Sequence, residues 1–128
     1  MCGIAGYLGQ TENPSDCLAK MALAMNHRGP DSNGIWTDQK EIGLAHSRLS
    51  ILDLTAAGNQ PMQSASGNYV MIFNGEIYNH KYLREELESI SNRKWLGHSD
   101  TETLLASIEE WGIENTLKKV KGMFAFLH

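Results

Sequence analysis

The chain lacks the features that mark several classes of protein. Its 128 residues include two cysteines, too few for a disulfide framework, so a reducing cytoplasm is predicted. No apolar run approaches the roughly 18–20 residues of a membrane span, and no basic segment precedes the apolar N-terminal run as in a secretory signal. The net charge of −4 disfavours nucleic acid and anionic membranes as partners. The sequence therefore indicates a soluble cytoplasmic protein.

Linkers, internal repeats and low-complexity segments are also absent, and this length fits a single domain. Hydrophobic residues make up 41% of the chain and charged residues 20%, as is typical of a globular protein. Two cysteines and five scattered histidines do not supply the ligand spacing that zinc requires. No metal site is predicted.

Hydrophobic patterning predicts strands over Gly3–Leu8, Gly34–Asp38, Gly43–Leu49, Tyr69–Phe73 and Met123–Leu127, the last two buried. Helices are predicted after Asn13-Pro14, after Asn79 with Ile90 turned inward, after Ser99 as far as Gly112, and near Glu114–Lys119. At Ser99 the pattern is a capping box, in which Glu102 reaches back to Ser99. The order of these elements favours an α+β layered sandwich.

Cysteine at position 2 is a candidate nucleophile. If Met1 is removed, the thiol and a free α-amine belong to one residue, so that a nucleophile and a general base lie within reach of each other. The α-amine at the start of a chain ordinarily has a pKa of about 7.7–8.0, which suits a base working near neutral pH. On its own, a cysteine at this position is also compatible with chance. Cys17 is interpreted as a small packing residue.

Four further polar segments accompany this N-terminus, and together they indicate a family. They are Asn26–Ser32, His46–Asp53, Phe73–Asn79 and Ser99–Glu102. With Cys2, they resemble the glutamine-hydrolysing domain of class II amidotransferases, which are N-terminal-nucleophile hydrolases. The resemblance covers essentially the whole chain in matching order. Four motifs are most similar to those of the asparagine synthetase type: His-Arg-Gly-Pro-Asp, Arg-Leu-Ser-Ile-Leu-Asp, Gln-Pro-Met and Asn-Gly-Glu-Ile-Tyr-Asn.

The resemblance implies an α+β fold, the four-layer αββα sandwich of N-terminal-nucleophile hydrolases. Residues 1–128 would form one partial amidotransferase domain, because the family's domain is longer than this chain and the resemblance implies C-terminal truncation. No cofactor is expected in this domain. ATP and Mg²⁺ are expected only in a synthetase domain, and no pyrophosphate loop of the Ser-Gly-Gly type is present in the sequence.

The catalytic residues implied by the resemblance are Cys2, Asn74 and Gly75. Cys2 would attack the side-chain amide of glutamine and form a γ-glutamyl thioester, while its α-amine carries the proton to the departing ammonia. The Asn74 side chain and the Gly75 backbone N–H would form the oxyanion hole. Glycine is expected at position 75 so that no side chain crowds the reacting carbon. Taken alone, Asn74-Gly75 is equally compatible with a turn that ends the preceding strand.

The implied substrate-binding residues surround the amino-acid end of glutamine. Arg48 would bind the α-carboxylate bidentately, which a lysine cannot reproduce, with a surface ion pair as the alternative. Asp100 would face outward from the first helical turn and meet the α-ammonium, while Glu76 assists from the other side. The same wall would be lined by backbone groups of Leu49, Ser50, Ile51 and Leu52.

The remaining polar residues of these segments are interpreted as structural. Arg28 and Asp31 are expected to brace the loops around the site rather than to react. The implied mechanism needs no imidazole, so all histidines are assigned structural or solvent-facing roles: His27, His46, His80, His98 and His128.

Three functions remain open at this point. The first is a glutaminase that supplies ammonia to a synthetase domain or subunit, for the amidation of aspartate. The second keeps this chemistry for another acceptor, such as a sugar acid in polysaccharide biosynthesis. The third is a degenerate, non-catalytic interaction domain, against which the intact site residues argue. A homodimer is a further open alternative, because the family often dimerises. A retained Met1 would lock the Cys2 amine in a peptide bond and leave the chain inactive.

Overall fold

The computed structural model describes residues 2–128, so the removal of Met1, on which the role of the Cys2 amine depends, lies outside the described residues. Most predicted elements are present with shifted ends. In chain order they are β1 (Gly3–Leu8), α1 (Pro14–Ala24), β2 (Ser32–Thr37), β3 (Ile42–Arg48), a 3-10 turn (Ala56–Gly58), β4 (Met62–Gln63), β5 (Val70–Ile77), α2 (His80–Ile90), α3 (Asp100–Lys119) and β6 (Gly122–Leu127).

The strands form two antiparallel sheets of three strands each. In the first sheet β3 lies between β1 and β2, with Gly3 opposite Ser47. In the second sheet β5 lies between β4 and β6, with Asn74 opposite Ala125. Each central strand therefore carries a motif singled out in the sequence, at or near its C-terminal end.

The sheets and helices stack in four layers. Helix α1 covers one face of the first sheet through Leu18, Ala22 and Ala45. Because neighbouring residues of a strand point to opposite faces, His46 points away from α1, and its ring contacts the carbonyl of Phe73 on β5. Helix α3 packs on the second sheet and α2 packs on α3. The order helix, sheet, sheet, helices confirms the predicted α+β four-layer sandwich.

The larger hydrophobic core lies between the second sheet and the helices α2 and α3. Burying one such side chain is worth about 1.5–3 kcal/mol, so this core holds β5 firmly in place. Its buried members are Met62, Met71, Phe73, Ile77, Leu83, Leu104, Leu105 and Ile108.

Helix α3 departs from the predicted capping box in one detail. The Ser99 hydroxyl accepts the N–H of Glu102 at 3.1 Å, as predicted. The Glu102 carboxylate, however, accepts the N–H groups of Leu96 and Gly97 at 2.7 and 3.0 Å rather than that of Ser99. Further along, Gly112 has a φ of 75° and interrupts the helix, which agrees with the predicted stop and the short helix that follows.

Three expectations about apolar residues are wrong. Ile90 is 55% exposed, because the buried face of α2 ends with Leu87. Met123 and Leu127 are exposed as well, because exposure alternates along β6 and one face of the strand is left uncovered among the described residues. Finally, β5 does not end at Phe73 but continues to Ile77.

Candidate active site

A cavity of about 150 Å³ lies where β1, β3, β5 and the loop after β3 meet the start of α3. The fold brings all of the predicted catalytic and substrate-binding residues to the wall of this cavity. They are Cys2, Arg48, Leu49, Ser50, Ile51, Leu52, Asn74, Gly75, Glu76 and Asp100. These residues come from four separate segments of the chain, so their convergence is produced by the fold.

Cys2 directly precedes β1 and lies beside the end of β3. Its Sγ is 3.4 Å from the backbone nitrogen of Leu49, which donates to it, and 3.6 Å from the carbonyl oxygen of the same residue. The Arg28 Nε donates to the Cys2 carbonyl at 3.3 Å. Leu49, the residue after β3, thus contacts the sulfur at the cavity wall, next to the pairing of Gly3 with Ser47.

Asn74 and Gly75 lie within β5, so the interpretation of this dipeptide as a strand-ending turn is wrong. Within residues 2–128 the Asn74 Oδ1 is buried and has no hydrogen-bond partner. A Cβ at position 75 would lie 2.4 Å from the Met123 carbonyl oxygen and 2.5 Å from the Phe124 Cα. The close approach of β6 therefore requires glycine here, and the expectation that glycine also keeps the reacting carbon uncrowded stays a prediction.

Arg48 lines the cavity, but most of its guanidinium is engaged by the loop that follows β3. One terminal nitrogen donates to the Thr55 carbonyl at 2.9 Å and to the Asn59 Oδ1 at 2.7 Å, and the other donates to the Asp53 carbonyl. The alternative of a surface ion pair is wrong, because the side chain is buried and its partners are neutral. Nε and one N–H of Nη2 have no protein acceptor within the described residues.

Asp100 is the first residue of α3 and lines the opposite wall. It is 6% exposed, so the prediction that it faces outward is wrong. Its Oδ2 accepts the N–H of Ile77 at 2.9 Å, and its Oδ1 accepts that of Thr101 at 2.9 Å. Burial raises the pKa of the Asp100 carboxyl above its usual range, against the opposing effect of these hydrogen bonds. Glu76 lies on β5 at the same cavity.

The segment Leu49–Leu52 forms the loop side of the cavity. The Ser50 N–H donates to the Asp31 Oδ2 at 2.7 Å, which agrees with the expected bracing role of Asp31. Ile51 is 71% exposed, so its side chain points away from the protein interior. All four residues of this segment line the cavity, and the expected role of their backbone groups in binding substrate stays a prediction.

Burial lowers the pKa values of two histidines near the site, His46 and His80. Burial lowers the pKa of His46 to about 4, and its Nε2 lies 3.3 Å from the Phe73 carbonyl oxygen. Burial also lowers the pKa of His80. Neither histidine lines the cavity.

Two cavity residues, Asp53 and Gln60, were given no role by the sequence, although both stand within quoted motifs. The Gln60 Oε1 accepts the N–H of Phe73 at 2.6 Å, and its Nε2 donates to the Thr101 Oγ1 at 3.2 Å. Gln60 therefore joins the strand of Asn74 to the helix of Asp100. Burial of a polar side chain within a motif is the signal that would have identified both residues, and it is visible only in the structure.

Between Cys2 and His128, the structure contains no cluster of three or more side chains suited to hold a metal ion. In the same stretch of chain, no helix combines the length and hydrophobicity of a membrane span.

Comparison with known proteins identifies the family. A family model described as a glutamine amidotransferase domain matches residues 1–128. The chain belongs to this glutamine amidotransferase family. Several of the most similar relatives are named asparagine synthetases and match nearly the whole of this chain, and another is named an amidase.

Three relatives illustrate the range of these similar proteins. Asparagine synthetase [glutamine-hydrolyzing] 1 of Bacillus subtilis (strain 168) is 42% identical over 99% of this chain and 20% of its own length. Probable asparagine synthetase of Dictyostelium discoideum is 39% identical over 99% of this chain and 23% of its own. Amidase chyE of Penicillium rubens is 35% identical over 99% and 20%. The chain thus spans about a fifth of the length of these relatives.

Proposed function

We propose that this chain hydrolyses the side-chain amide of glutamine through a γ-glutamyl thioester on Cys2. The ammonia would serve an asparagine synthetase-type, ATP-dependent amidation of aspartate in a synthetase domain or subunit. The observation that supports the proposal best is the placement of Cys2, Arg48, Asn74, Gly75 and Asp100 around one cavity. Residues 1–128 act in this proposal as the amidotransferase domain.

The proposed reaction requires Cys2 to be the N-terminal residue. Its α-amine takes the thiol proton as Sγ attacks the amide carbon, and the oxygen becomes an oxyanion that the Asn74 amide and the Gly75 N–H stabilise. The carbon–nitrogen bond then breaks, and the amine returns its proton to the departing ammonia. Water hydrolyses the thioester by the same sequence of steps, releasing glutamate and restoring the thiol.

The amino-acid end of glutamine is proposed to lie between Arg48 and Asp100. Only Nε and one N–H of Nη2 of Arg48 are free of protein acceptors within the described residues, and these two would receive the α-carboxylate. Asp100 and Glu76 would receive the α-ammonium. An ammonium beside the buried Asp100 carboxyl favours its charged form, which offsets the rise in pKa that burial causes.

A second candidate keeps this chemistry but changes the acceptor. It is favoured by the similarity to Amidase chyE, which matches the chain over the same span as the asparagine synthetases. The cavity residues would bind and hydrolyse glutamine in the same way in both cases. Residues outside the cavity would therefore determine the acceptor of the ammonia. A non-catalytic domain is a third candidate, and the convergence of the predicted residues on one cavity argues against it.

The test is reaction of the protein with 6-diazo-5-oxo-L-norleucine, an electrophilic analogue of glutamine, followed by intact-mass and peptide analysis. We expect a chain without Met1 that gains one adduct at Cys2, with protection by L-glutamine. Cys17→Ser is the matched control, because Cys17 is the other free thiol and should leave labelling unchanged. A folded chain that lacks Met1 and still remains unlabelled would refute the glutaminase proposal.

The acceptor requires a separate measurement. The protein, supplied with the synthetase part, ATP, Mg²⁺ and ¹⁵N-amide glutamine, is expected to transfer the label to aspartate. Transfer to a different acceptor, with none to aspartate, would favour the second candidate.

A further inference from the structure

The two charges proposed to hold glutamine lie on different parts of the fold. Arg48 ends β3 in the first sheet, whereas Asp100 begins α3 on the far side of the second sheet. Recognition of an α-amino acid requires a guanidinium and a carboxylate at a fixed separation, because the substrate's own charges are one carbon apart. Some contact must therefore set the position of one segment relative to the other.

The Arg48 end of this arrangement is held by the loop of residues 53–59. Its guanidinium donates to the carbonyl groups of Thr55 and Asp53 and to the Asn59 side chain. Within residues 2–128 these are the acceptors of the Arg48 guanidinium. The position of the loop therefore determines the position of this positive charge.

The Asp53 side chain connects the same loop to the start of α3. Its Oδ1 accepts the N–H and the hydroxyl of Thr55 at 2.8 and 2.6 Å. Its Oδ2 accepts the N–H of His98 at 2.8 Å, two residues before Asp100. The side chain is 6% exposed, so water competes little for these bonds. The Thr55 hydroxyl and the His98 N–H lower the pKa of Asp53 to about 2, so the group is ionised at neutral pH.

Gly97 makes this contact sterically possible. A Cβ at position 97 would lie 2.3 Å from the Asp53 Oδ2 and 2.8 Å from the Ala57 Cβ. Any side chain at this position would force the Asp53 carboxylate away from the His98 N–H. The loop and the segment before α3 are therefore fitted to each other at Asp53.

We propose that Asp53 is a positioning residue, which fixes the separation between Arg48 and Asp100 and so determines the specificity of the cavity for an α-amino acid. This inference rests on the proposed glutaminase function. Asp53 acts through Arg48 and the backbone of His98, and takes no part in bond making or breaking. Cys2, Asn74 and Gly75 make no hydrogen bond to Asp53. Its loss should therefore weaken the binding of glutamine and leave the chemical step largely intact.

The test compares Asp53→Asn with the wild-type protein in glutamine hydrolysis and in Cys2 labelling. The asparagine amide can satisfy Thr55 or His98 with its oxygen, but not both. We expect KM for glutamine to rise roughly tenfold or more, as for a lost hydrogen bond to a charged group, with kcat changed less than about threefold. The preference for L-glutamine over its analogue without the α-amino group, measured by protection of Cys2, should fall by a similar factor.

Two controls separate positioning from general damage. Asp38→Asn makes the same change in an aspartate that accepts three backbone N–H groups in the β2–β3 turn, away from the cavity, and should leave kcat, KM and the preference unchanged. Iodoacetamide, which lacks the amino-acid end, should label Cys2 of Asp53→Asn at the wild-type rate. Gly97→Ala displaces the Asp53 carboxylate through a steric clash and should reproduce the rise in KM. If Asp53→Asn does not fold, this second variant tests the role of Asp53 in its place.

The outcomes distinguish a failure of the proposed glutaminase function from a failure of the proposed role of Asp53. A wild-type protein that neither hydrolyses glutamine nor reacts with its electrophilic analogue would overturn the glutaminase function and this inference with it. An active wild type would overturn the role of Asp53 alone if the folded variant kept its KM and its preference. A fall in kcat without a change in KM, or an equal loss of labelling with iodoacetamide, would do the same.

Discussion

His46 on β3 is expected to make the stability of the protein depend on pH between about 6.5 and 4. The ring is fully buried between the two sheets, and its Nδ1 has no partner within the described residues. Burial lowers its pKa from 6.5 to about 4, opposed by the Phe73 carbonyl and aided by the charge of Arg48. The unfolded chain therefore binds a proton at a higher pH than the folded protein does.

The sign and size of the effect follow from this difference. Above pH 6.5 the ring is neutral in both states and the stabilisation is complete. As the pH falls from 6.5 to 4, protonation favours the unfolded chain, so stability is lost. The gap between 6.5 and about 4 corresponds to about 3 kcal/mol in the free energy of unfolding, since one pKa unit is about 1.4 kcal/mol.

The assay is urea unfolding followed by the fluorescence of Trp36, Trp95 and Trp111, at several pH values from 7 to 4. His46→Gln is the informative variant, because its amide can still donate to the Phe73 carbonyl but does not titrate. The wild-type protein should lose about 3 kcal/mol more than this variant between pH 7 and 4. His27→Gln, in an exposed position, should follow the wild-type curve. Parallel curves for wild type and His46→Gln would refute the reasoning.

The remaining predictions concern three residues of the cavity. Gly75→Ala should destabilise the protein by about 1–3 kcal/mol in urea unfolding, because the new methyl group clashes with β6; unchanged stability would contradict that packing. Asn74→Ala should fold normally but hydrolyse glutamine about a hundred- to a thousandfold more slowly, and wild-type turnover would exclude an oxyanion role. The raised pKa of Asp100 should make KM for glutamine rise as the pH falls towards it, and Asp100→Asn should show a high KM that varies little with pH. A profile of the same shape in that variant would assign the titration to another group.

Much of the fold follows from local patterns. The strands Gly3–Leu8 and Ile42–Arg48 and the cap at Ser99 have local causes, namely apolar runs and a side chain that accepts an orphan N–H. The exposure of β6 does not follow from local patterns, because an apolar run does not show whether both faces of the strand are covered. The prediction that Ile90 is buried is wrong for a related reason. Helical spacing predicts which face of a helix is apolar, but not where the surface that covers this face ends.

Motifs in the sequence identified most of the cavity residues, but they did not predict which groups these residues contact. Arg48 resembles a carboxylate ligand in the sequence, whereas its partners are mainly carbonyl groups of a loop without periodicity, which no pattern predicts. Gly75 was expected to leave the reacting carbon uncrowded, and the structure adds a reason that the motif does not show, the close approach of β6. Contacts between distant segments depend on backbone positions that only the folded chain defines.

The paired contacts of the Cys2 sulfur with Leu49 have a consequence for the proposed reaction. A protonated sulfur can donate to the Leu49 carbonyl and a deprotonated one can accept from the Leu49 N–H, so proton loss calls for no movement of the side chain. In the proposed reaction the sulfur could therefore give up its proton and regain it from one position, without a rearrangement of the β1–β3 edge.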